Sequence, residues 1–164
     1  MPEAELNLVG EVRRTVGRVN ALDPSLVTIA TPTGQTQQIS TTDETVVMTA
    51  AVGALRDVRA GSRVVVKNQP GLPNEALEVV VLPATSLHGV PVVADTPDSI
   101  TIRHLLGNLV TVNTAEARVD KATSGTINDM TIGSTIFVRG RIVGAGNLAA
   151  EEIIVLPDGT TFGT

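Results

Sequence analysis

Val27-Thr-Ile29…Gly34…Ile39…Val46 returns as Ile100-Thr-Ile102…Gly107…Val112…Val119, each residue 73 positions later. Leu55-Arg-Asp57…Gly61-Ser62…Val64…Val66 returns 72 positions later as Ile127-Asn-Asp129…Gly133-Ser134…Ile136…Val138, and Val81-Leu-Pro83 returns 74 later as Val155-Leu-Pro157. The preserved positions are turn glycines and strand-forming aliphatic residues. The 164-residue chain is therefore one small β-unit written twice. The repeat sets the expected boundaries: an amino-terminal extension at 1–10, a first copy at 11–84, and a second copy at 85–164 ending in a short tail.

Working outward from that stretch, Arg14 to Val19 reads as a first strand ending in the turn chemistry of Asn20-Ala-Leu-Asp-Pro24. Leu26-Val-Thr-Ile29, the turn Pro32-Thr-Gly34, and Gln35 to Ser40 make a hairpin. Thr45 to Met48 is a further strand, and the Ala-rich piece Ala50 to Val58 has room for one or two helical turns around Leu55. Arg63 to Lys67 is a strand, Asn68 to Asn74 a loop, and Ala76 to Leu82 the closing strand. The second copy keeps this plan. Five to six strands per copy with a short helical insert predict an all-β chain, two tandem small Greek-key barrels of the OB type. Closure into barrels also removes the exposed edges that such aliphatic strands would present.

Composition narrows the function. Aromatics are limited to Phe137 and Phe162, so the core is built from Val, Ile, Leu and Ala, and no aromatic platform exists for a glycan or a base. The net charge is −5, divided as −2 over residues 1–84 and −3 over 85–164. Neither half is a basic module, which argues against nucleic acid. Cysteine is absent, so disulfides, thiolate metal sites and cysteine nucleophiles are excluded. No apolar run approaches the ~20 residues that span a bilayer. The first ten residues, Met1-Pro-Glu-Ala-Glu-Leu-Asn-Leu-Val-Gly10, carry neither a basic n-region nor an apolar h-region.

The order Gly17-Arg-Val19, Leu26-Val-Thr-Ile29, Gly34, Thr45, Leu55…Gly61-Ser-Arg-Val64-Val-Val66 and Glu78-Val-Val-Val81 resembles the bacterial domain-of-unknown-function family numbered 5666. The resemblance runs through both copies, from about Arg14 to Leu156. Ser62 and Ser134 stand where that family usually has Asp. Asn68 replaces its usual Gly in the first copy, whereas Gly140 keeps it in the second. The resemblance implies a small OB-like barrel in an exported or surface-attached protein, so the expected location is extracellular or at the cell surface. It implies no reaction.

Candidate chemistry reads mostly as turns and surface. His88 and His104 lack a G-x-S-x-G elbow to serve. Glu151 and Glu152 are strand neighbours facing opposite sides, and Asp95 and Asp98 mark a turn. Gly140 to Gly146 leads into a strand rather than the helix that a phosphate loop needs, so it reads as a β-turn. The expectation is a non-enzymatic protein with no catalytic, cofactor or metal residues and no small-molecule ligand.

The amino terminus is more informative. Ala4-Glu-Leu-Asn-Leu-Val9 alternates as a half-buried strand does, yet it precedes the repeat. It can cap its own first unit or add to a sheet edge in another subunit. Arg13, Arg14 and Arg18 form the densest basic cluster. Leu6, Leu8, Val9, Arg13, Arg14 and Arg18 are therefore the candidate subunit interface of a homo-oligomer or polymer, such as an extracellular filament or envelope subunit. The alternative reading is a monomeric module whose loops bind a metal, peptide or glycan.

Overall fold

A computed structural model of the chain describes residues 9–162. The first copy supplies β1 (Val12–Asp23), β2 (Leu26–Ala30), β3 (Thr36–Ser40), β4 (Val46–Val52), β5 (Arg63–Gln69) and β6 (Leu72–Leu82). The second supplies β7 (Val90–Asp95), β8 (Ser99–Arg103), β9 (Leu109–Asn113), β10 (Arg118–Ser124), β11 (Thr135–Gly144) and β12 (Asn147–Leu156). The chain is all-β with mixed parallel and antiparallel ladders, and among the described residues helix is confined to short 3-10 turns at Leu55–Asp57 and Ile127–Asp129. In each turn the Asp side chain accepts the backbone N–H three residues back: Ala54 to Asp57 at 2.8 Å, and Thr126 to Asp129 at 2.7 Å. That bond holds Asp57 below its ordinary pKa, assisted by the charges of Lys121 and Arg56.

Three expectations shift in detail. Asn20 does not end β1; the register shift between Val19 and Ala21 absorbs it and the strand continues to Asp23. The segment 68–74 is not a loop but the two arms of a hairpin turning at Pro70-Gly71, with Gly71 at φ +74°. The match of Val46 to Val119 is one residue out. Thr41 and Thr114, 73 apart, occupy equivalent turns, donating to Ser25 O and Asp98 O. The turn that follows is one residue longer in the first copy. Thereafter Val47 is the counterpart of Val119: each is buried, and they pair with the equivalent residues Ile153 and Val79.

The larger correction concerns the domain boundaries. The chain divides into one compact unit made of the residues up to 49 and those from 124 onward, and a second made of residues 50–123. The boundary at 84/85 marks the sequence repeat, not a spatial unit. The closing strands explain why. β12 runs parallel to β4 from Glu152↔Val46 to Val155↔Thr49, and β6 runs parallel to β10 from Glu78↔Arg118 to Val81↔Lys121. Each closing strand thus lies beside the fourth strand of the other copy.

In the first unit the pairings return on themselves. β1 pairs β11 from Val12↔Arg141 to Arg18↔Thr135, β2 pairs β1 and β3, β3 meets β12 in parallel at Ile39↔Leu148, and β12 pairs β11. The core inside this cycle includes Val19, Ile29, Ile39, Val138, Leu148 and Ile153. The second unit has the equivalent cycle through β5, β7, β8, β9 and β6. Its core includes Val64, Val79, Val81, Ile100, Val112 and Val119. β6 and β12 are buried on both faces, because Glu78, Val80 and Leu82, like Glu152, Ile154 and Leu156, are as inaccessible as the core residues between them. Strands covered on both faces tend toward continuous apolar runs, and both closing strands end in one, Val79–Leu82 and Ile153–Leu156.

Candidate functional site

The two cycles differ where the first strand of one copy meets the fifth of the other. In the first unit β1 covers β11 along its length up to Arg141, and the chain before β1 extends the contact: Gly10 N donates to Ile142 O at 2.7 Å, and Ile142 N to Glu11 O at 2.9 Å. In the second unit the equivalent ladder between β7 and β5 consists of Arg63↔Pro91 and Val64↔Val90. Beyond Val64, β5 continues through Gln69 with β6 on one side.

Local sequence produces this early departure. Gly89 stands where the first copy has Val16, and it takes φ +76°, a left-handed conformation that an extended valine would not adopt. A Cβ there would lie 2.4 Å from Val64 O, so the chain crosses β5 at contact distance and turns away. Pro91, where the first copy has Arg18, still pairs with Arg63, so the departure begins at Gly89. Arg63 secures the crossing by donating from Nε to His88 O at 2.9 Å and from its terminal nitrogen to Gly89 O at 2.6 Å.

A cleft of about 490 Å3 lies along the uncovered part of β5. Its walls are Val64 and Val66 of β5, Ile102 of β8, and Val110 and Val112 of β9, with Asn68 and His104 among its polar groups. The consequence shows in burial: Val138 on β11 is 0 % exposed, while its counterpart Val66 is only half-buried against its core. The copies also differ in a glycine beside the closing strand. A Cβ on Gly140 would meet Ala149 O of β12 at 2.3 Å, so that contact requires glycine, while Asn68 is accommodated, exposed, at the equivalent place beside β6.

A second feature of this unit is a buried pair of carboxyl groups. Asp120 on β10 and Glu78 on β6 are both fully buried, with their carboxyl groups close enough to act on one another. Arg118 Nε donates to Asp120 Oδ1 at 3.1 Å. Asp120 Oδ2 has no hydrogen-bond partner among the described residues. Burial, then the neighbouring Glu78 side chain, push Asp120 up to about 6 against the pull of Arg118. The first unit keeps the buried Glu152 but has Met48 and Val46 where Asp120 and Arg118 stand. The sequence carried a signal for half of this: an acid two residues after an alanine in both closing strands (Ala76-Leu-Glu78, Ala150-Glu-Glu152). Burial of the second face of β6 is not visible in its spacing.

The candidate interface residues are partly described. Leu6 and Leu8 lie outside the described residues. Val9 is half exposed in the turn before β1. Arg13 and Arg14 border a shallow polar depression with Thr31, Thr33, Gln35 and Gln37, and Arg18 is exposed further along β1. His88 is buried in the connection before β7, and His104 lies at the β8–β9 turn, bordering the cleft. Glu151 and Glu152 do separate: Glu151 bonds Arg139 at 2.7 Å and Arg141 at 3.4 Å, while Glu152 is buried. Asp95 accepts from Ala60 N, and Asp98 from Thr96 Oγ1. Gly144, Ala145 and Gly146 take positive φ in the β11–β12 turn. Among the described residues no group of three or more His, Cys, Asp or Glu is placed to hold a metal ion, and no helix is long and apolar enough to cross a membrane.

Comparison with protein-family models, with curated proteins and with solved structures returned no match.

Proposed function

We propose that this chain is a non-enzymatic interaction protein that self-assembles through β-surfaces, with the uncovered side of β5 as the principal contact. The observation that carries this reading is the contrast inside the molecule: β11 is covered by β1, while the equivalent side of β5 borders an apolar cleft. A strand edge beside apolar side chains recruits another strand, since backbone groups supply hydrogen bonds and alternate side chains fill the cleft.

Each cycle of pairings supports the reading of a small OB-like barrel. With β1, β2, β3, β11 and β12 taken as its five strands, the neighbours run first, second, third, fifth, fourth and back to first. The resemblance to the family numbered 5666 fits that architecture, and it supports a location outside the cell or on its surface. The competing reading is a monomeric module whose loops bind a metal, peptide or glycan. Sedimentation velocity and negative-stain microscopy of the native chain decide between them. Concentration-dependent particles larger than one chain support assembly; a monomer at every concentration overturns it.

A further inference from the structure

We infer that the occupant of the β5 cleft is residues 4–9 of a second copy of the chain, added antiparallel to β5, so that the protein polymerises head to tail. This rests on the assembly reading above and names the segment responsible.

The repeat itself shows what the cleft lacks. In the first unit, the partner of β11 is an extended segment running antiparallel, with Thr15 opposite Val138 and Val16 opposite Phe137. Carried over to the second unit, those positions face Val66 and Val65, and β7 does not reach them. The missing piece is thus an antiparallel strand of about five residues whose alternate side chains are apolar on the cleft side. Ala4-Glu-Leu-Asn-Leu-Val9 has that pattern, and it is the alternating stretch of the chain that belongs to neither copy of the repeat.

Register follows from geometry. Val64 is already opposite Val90, so Val66 is the first open cleft-facing position. Setting Leu8 opposite Val66 sets Leu6 opposite Asn68, and both leucines then face Ile102, Val110 and Val112 across the cleft. The intervening Asn7 and Glu5 face outward. In the donating chain, Gly10 follows at φ +90° and delivers the chain into β1, so donation does not disturb the β1–β11 ladder. Each chain offers one segment and one cleft. Such a contact is heterologous and yields an open filament, or a ring if the rotation closes.

Because the natural chain has no cysteine, a disulfide reports the contact without background. A Leu8→Cys chain mixed with a Val66→Cys chain and oxidised is expected to give a covalent dimer. Leu8→Cys mixed with Leu106→Cys, a more exposed control on the β8–β9 turn, is expected to give none. The chain carrying Leu6→Asp and Leu8→Asp is expected to sediment as a monomer. Assembly that survives Leu6→Asp/Leu8→Asp, with no 8–66 cross-link, overturns this inference and leaves the assembly reading standing. A monomeric native chain overturns both. A cross-link formed within a single Leu8→Cys/Val66→Cys chain, rather than between chains, assigns the cleft to the chain's own terminus and overturns polymerisation.

Discussion

β11 and β5 are the same strand written twice, yet one is enclosed and the other is half open. The aliphatic residues that pair with the core barely differ: Ile136 and Val138 on one, Val64 and Val66 on the other. What differs is the neighbour. Val16 lets β1 run on beside β11, while Gly89 turns the chain before β7 away from β5 beyond Val64. A single backbone-active residue before the strand thus decides whether an otherwise equivalent strand is covered or open on that side.

The contrast is broken most severely at Gly140. Gly140→Asn copies the residue of the second unit into the first and drives a Cβ against Ala149 O, where backbone must move. We expect a loss of about 3 kcal/mol in urea unfolding. Asn68→Gly, the reverse exchange, should cost under about 1 kcal/mol, the ordinary penalty of glycine in a strand. Equal losses at the two positions would mean that the close approach of β12 at Gly140 does not distinguish the units.

The acid pair distinguishes the units by pH. Asp120 is raised to about 6 from 3.8, so the neutral acid favours the fold. Its contribution is fully present below about pH 4 and is lost as pH rises through about 6, a decline on the order of 3 kcal/mol by pH 8. Asp120→Asn cannot ionise, and its amide oxygen can still accept from Arg118. It should flatten that part of the stability profile and raise Tm at pH 8 by several degrees. An unchanged profile would place the titration elsewhere. Met48→Leu in the first unit should leave the profile untouched.

Smaller effects sharpen the same comparison. Val138→Ala removes fully buried methyl groups and should cost about 2 kcal/mol, whereas Val66→Ala in the monomeric chain should cost under about 1 kcal/mol. In the assembled protein the difference should narrow, because a docked strand buries Val66.

The fold class was legible because turn glycines and alternating aliphatics are local signals, and so were the helical insert and the separation of Glu151 from Glu152. The exchange of closing strands between copies was not legible. Whether β6 lies beside β4 or β10 depends on which parallel neighbour it meets, and spacing along the chain is the same in both cases. The pairing of Glu78 with Asp120 was hidden for that reason, since it exists only once β6 and β10 are neighbours. The open side of β5 did leave traces: Asn68 in place of glycine, and a proline at position 91 early in a strand, both typical of an edge. Those traces gain meaning only once β7 is known to be the neighbour of β5.

Hydrogen exchange across a dilution series of the native chain tests the central contrast most directly. We expect amides of residues 65–69 to lose protection as the concentration falls, while those of residues 137–141 stay protected throughout. Equal protection of both segments at every concentration would contradict an open strand side in the second unit.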